Sequence, residues 1–99
     1  MTRDRDIVLS LWEAHKMAQW PRLTSQQEGP LMTLDTVISG CVVYYLDSPD
    51  GLDAQRRTIV GDCLTDLDTF TDELDDNSRH YFQRLRHLGS LLLAPPDPD

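Results

Sequence analysis

Between Ala54 and Leu74 the apolar residues Val60, Cys63, Leu67, Phe70 and Leu74 follow one another at intervals of three, four, three and four. That spacing draws one continuous stripe along a helix. It does not fit a strand, whose faces alternate at every second residue. The other side of the segment carries Asp62, Asp66, Asp68, Asp72 and Glu73. A helix with one apolar stripe and an acidic back must bury the stripe against other helices.

Three more segments obey the same rule. From Asp6 to Gln19, one face collects Ile7, Val8, Leu11, Trp12, His15 and Ala18, with Thr2 or Asp4 available as a cap. Pro21 ends that helix, because the residue before proline is pushed out of helical geometry. Residues 20–29 are expected to form a loop. Thr24 or Ser25 with Gln27 or Glu28 resembles a capping box, which would start the next helix earlier, but Gly29 and Pro30 argue against it. Pro30 is therefore placed at the first helical position.

The second helix is expected from Pro30 to Leu46, with Leu31, Leu34, Ile38, Cys41 and Tyr45 stepping by three and four. Val37, Val42, Val43 and Leu46 widen the arc, so this helix should be the most buried. Its VISGCVVYYL stretch is rich in strand-forming residues, yet no partner strand exists elsewhere in the chain, and a lone strand cannot satisfy its ladder. The DSPDG segment at 47–51 is a turn, and Asp50 or Asp53 caps the third helix, which ends near Leu74. Asp76 or Asn77 then caps a fourth helix from Ser78 to Leu93, burying Tyr81, Leu85, Leu88 and Leu92. The expected architecture is all-α, a four-helix up-and-down antiparallel bundle. It forms one domain over residues 1–94, with a disordered tail at 95–99.

Charge narrows the partners. The 99 residues carry 17 acids against nine basic residues, a net charge of −8. Such a surface is repelled by nucleic-acid phosphates and by anionic membranes, so a charged partner is expected to be a basic protein. The most apolar run, Val37 to Leu46, is too short to span a bilayer, and no signal peptide is visible, so a cytoplasmic location is expected.

No enzymatic motif is present. There is no GxSxG elbow, Walker loop or dinucleotide fingerprint. Cys41 and Cys63 have no zinc-ligand spacing and sit on core seams, level with each other if the second and third helices pair. His15, His80 and His87 are scattered, and His15 reads as a hydrogen-bonded core residue. The acids Asp72, Glu73, Asp75 and Asp76 match no EF-hand loop.

The expected function is that of a small acidic non-enzymatic interaction or regulatory module that binds a basic or apolar partner surface, with no cofactor and no metal. Asp62, Asp66, Asp72, Glu73, Asp75, Asp76 and Trp20 are its candidate partner-binding residues. Apolar residues off the seams make a homodimer plausible. The alternative is a metal- or small-molecule-responsive bundle with an interior site of His15, the cysteines and carboxylates.

Overall fold

The computed structural model of the chain describes residues 3–48 and 50–94. Thr2, Pro49 and the tail at 95–99, on which sequence expectations were placed, lie outside the described residues. Four helices follow in order: α1 (Arg3–Met17), α2 (Ser25–Asp47), α3 (Ala54–Thr71) and α4 (Asp76–Leu93). No strand occurs among the described residues, and VISGCVVYYL lies wholly inside α2.

Hydrogen bonds between helix ends fix the topology. Arg5 at the start of α1 reaches the carbonyls of Leu46 and Ser48 at the end of α2, at 2.8 and 2.7 Å. Gln27 near the start of α2 donates to the Glu73 carbonyl just past α3. Arg57 in the first turn of α3 donates to the Leu93 carbonyl at the end of α4, at 2.8 Å. Each consecutive pair therefore runs antiparallel, and the fold is an up-and-down four-helix bundle. Among the described residues α2 and α4 touch across the middle while α1 and α3 do not, so the cross-section is a rhombus with α2–α4 as its short diagonal.

The core holds Val8 from α1, Leu31, Leu34, Ile38 and Val42 from α2, Val60, Leu64 and Leu67 from α3, and Phe82, Leu85, Leu88 and Leu92 from α4. Each large apolar side chain removed from water stabilises the fold by about 2 kcal/mol, before the cost of ordering it. Gly89 permits the close approach of α4 to α3: a Cβ there would lie 2.7 Å from Leu64 Cδ2.

Several expectations are corrected. The second helix opens at Ser25 rather than Pro30. Thr24 Oγ1 accepts from the Gln27 amide, and the Gln27 side chain accepts from the Thr24 amide, both at 3.2 Å. This reciprocal cap satisfies two otherwise orphaned donors and holds the first turn, although Pro30 then sits inside the helix. The most buried helix is α4, not α2, because the first six residues of α2, Ser25–Pro30, are mostly exposed and Met32 and Val43 also face solvent. Ile7 is 40% exposed rather than inward, since α1 packs only on α2 and α4 and its buried arc is narrow. Helix α3 stops at Thr71, and Leu74 reaches the core from the following turn. Asp75 caps α4 in place of Asp76 or Asn77, accepting from the Ser78 amide at 2.8 Å.

At 23 residues, α2 is long and apolar enough by length and composition to cross a membrane, a test that a bundle core helix also passes. The expectation that its apolar run is too short therefore applies to Val37–Leu46 but not to the whole helix.

Candidate functional site

Asp35 is the sole charged residue between Glu28 and Asp47. About a quarter-turn away from the Leu34–Ile38 seam, it faces α1 and α4. His15 Nε2 lies 2.8 Å from its Oδ1, and Tyr81 Oη donates to its Oδ2 across a longer 3.3 Å. Arg84 Nε approaches His15 Nδ1 at 3.4 Å. One tautomer satisfies all three contacts: His15 donates from Nε2 to the carboxylate and accepts at Nδ1 from the guanidinium. His15 thus bridges the Arg84 guanidinium and the Asp35 carboxylate, and the knot ties α1, α2 and α4 at one level. Among the described residues, no buried side-chain nitrogen or oxygen lacks a partner. Burial, with the Asp35 carboxylate beside it, pushes the Tyr81 phenol well above the ordinary tyrosine range, and Arg84 partly offsets this.

Rings stack around the knot. The His15 and Tyr81 centroids are 4.6 Å apart, and Trp20 meets Tyr81 and Phe82 edge-on at 5.5 and 5.8 Å. Trp20 is half-buried, and its Nε1 donates to Glu28 at 3.3 Å. Beside it, a groove of about 570 Å³ opens between the α1–α2 link and the start of α4, lined among others by Trp20, Arg22, Asp75, His80, Tyr81 and Arg84.

The acidic candidates divide by role. Asp62, Asp66, Asp72 and Glu73 are exposed, and among the described residues none forms a salt bridge. Asp75 is the cap of α4 and also lines the groove. Asp76 makes a loose contact with Arg79 at 3.6 Å. Asp68, on the same flank, is held in a two-pronged pair by Arg86 at 2.6 and 3.1 Å. The hydrogen bond from Arg86 keeps the Asp68 carboxyl below the usual range.

The cysteines stand apart from the knot. Cys41 follows Asp35 by six residues, about 9 Å of helix rise, and neighbours α3 rather than α1. Both thiols are free and buried. Burial pushes each upward, and Cys41, Asp62 and Asp66 add to the rise at Cys63. Neither has the lowered pKa of a nucleophile. Among the described residues, no three His, Cys, Asp or Glu side chains converge as metal ligands.

No protein-family model, curated protein or solved structure matches this chain.

Proposed function

We propose that this protein is a small non-enzymatic interaction module that presents the acidic side of α3 and the turn after it to a basic partner protein. One observation carries the reading. Among the described residues, Asp62, Asp66, Asp72 and Glu73 have no cation partner, while the arginines of α3 and its flank are engaged elsewhere. Arg56 pairs with Asp53 at 2.6 Å and lies 3.8 Å above the Tyr44 ring. Arg57 holds the Leu93 carbonyl, Arg79 holds those of Thr71 and Leu74, and Arg86 holds Asp68. Single exposed ion pairs contribute at most about 1 kcal/mol, so recognition would come from the summed field, with fast, salt-sensitive association.

Fluorescence anisotropy with a labelled octa-arginine peptide tests this. Binding should weaken steeply between 25 and 200 mM salt, about as expected for several screened contacts. It should weaken further, roughly tenfold, when Asp62, Asp66, Asp72 and Glu73 are replaced by their amides. Equal binding by this quadruple variant, with Glu13→Gln as control, would refute the reading.

A second copy of the chain is the other occupant favoured by a specific feature. Between Glu28 and Asp47 the solvent face of α2 is uncharged, since Asp35 is turned toward His15, and Met32 and Val43 are 47% and 44% exposed on it. Two chains of charge −8 repel least where these faces meet. Sedimentation should show a dimer that Val43→Arg dissociates; a monomeric native chain at 100 μM would discard self-association.

A further inference from the structure

Among the described residues, most arginine side chains in this acidic chain are engaged. Arg5, Arg56, Arg57, Arg79 and Arg86 each hold a carboxylate or a backbone carbonyl. Two differ. The Arg22 guanidinium has no hydrogen bond or salt bridge among the described residues. Arg84 uses only Nε, on His15, and its two terminal nitrogens hold nothing there. Both line the same groove, together with Trp20 and Tyr81.

We propose that this groove binds a small planar organic monoanion, its carboxylate between Arg22 and Arg84 and its ring against Trp20 and Tyr81. The volume of about 570 Å³ suits a ligand of one or two fused rings. Guanidinium groups bind carboxylates through paired, charge-assisted hydrogen bonds, and aromatic walls supply the apolar contact. Asp75 lines the groove as well, so Arg22, Arg84 and Asp75 leave a local balance of one positive charge. That favours a monoanion over a phosphate dianion, which the negative field of the whole chain also disfavours. The site adjoins the turn after α3 at Asp75, but its binding groups, Arg22 and Arg84, are not part of the acidic side of α3.

The test is a titration of the full chain with naphthalene-2-carboxylate, followed by two-dimensional NMR. Naphthalene-2-carboxamide serves as the uncharged counterpart and inorganic phosphate as the ringless anion. The carboxylate should shift the Trp20 indole N–H and the Arg84 Nε–H in a saturable way, more than the Trp12 indole. The carboxamide and phosphate should bind at least about tenfold more weakly, the scale of one charge-assisted contact. Arg22→Gln, at an exposed position, and Arg84→Gln should each weaken carboxylate binding about tenfold while helical circular dichroism is retained. The proposal is overturned if the carboxamide or phosphate binds as tightly, if Arg22→Gln leaves binding unchanged, or if no saturable shift arises by 10 mM.

Discussion

His15 Nε2 and Asp35 Oδ1 stand 2.8 Å apart, joining the last turn of α1 to the middle of α2. The imidazole is buried, with 4% of its side chain accessible against 19% for the carboxylate. Asp35 is therefore the wetter partner, and its removal strands the drier one. The same carboxylate receives the Tyr81 hydroxyl.

Asp35→Ala should destabilise the protein by about 2–3 kcal/mol, because a buried donor on His15 and another on Tyr81 lose their acceptor. Urea unfolding of Asp35→Ala, His15→Ala and the double variant measures this. Strong coupling between the two single losses is expected, and additive losses would show that the bond contributes little.

Pro30→Ala should stabilise the fold by about 1–3 kcal/mol, since proline there removes the bond to the Gln26 carbonyl and crowds it. Thr24→Ala should cost about 1 kcal/mol by dismantling the reciprocal cap. Thermal melts of both variants, which change exposed residues only, check the two signs together.

Gly89 and Gly61 should answer alanine in opposite directions. A Cβ at Gly61 meets nothing within 4 Å, so Gly61→Ala gains helix propensity of up to about 1 kcal/mol. At Gly89 it would press on Leu64 Cδ2 and Cγ, and Leu64 is itself packed in the core, so Gly89→Ala should lose about 1 kcal/mol net. Denaturant midpoints of the two variants provide the comparison.

Acid should weaken the fold. Asp53, Asp68 and Asp75 are all held below the ordinary carboxyl range: by the Arg56 amide, the Arg86 side chain and the Ser78 amide, respectively. A carboxyl with a depressed folded pKa contributes stability above its unfolded value near 3.8, and that contribution is lost as pH falls toward the folded value. Urea midpoints should therefore drop below about pH 4, and Asp68→Asn should flatten the drop. A midpoint constant between pH 5 and pH 2.5 would contradict this assignment.

The helices were legible because their seams are regular: Leu31, Leu34, Ile38 and Cys41 on α2, or Leu85, Leu88 and Leu92 on α4, can share a face only at helical pitch. The start of α2 was misplaced because two local signals conflict there. Thr24 with Gln27 says begin, Pro30 says not yet, and the energy of a satisfied cap is not visible in residue preferences alone. The acidic candidates were legible as a surface, but not their division into Asp75 the cap and Asp62 the unpaired acid. The His15–Asp35–Tyr81–Arg84 knot was missed because its members come from three helices. A lone Asp in an uncharged run of α2 was the available signal. The open guanidinium groups of Arg22 and Arg84 were not readable at all, since engagement depends on who stands nearby in space.

Helix α2 ends with no basic residue in its last turn and with Asp47 there instead, so its exposed carbonyls have no local cation. Arg5 supplies one from outside, bonding three consecutive-turn oxygens of Tyr45, Leu46 and Ser48 while its guanidinium lies 5.2 Å from the Tyr45 ring centroid. The finish of the second helix is thus written into the opening residues of the first. Trimming the chain past its fifth residue would take the cation away from carbonyls forty positions downstream.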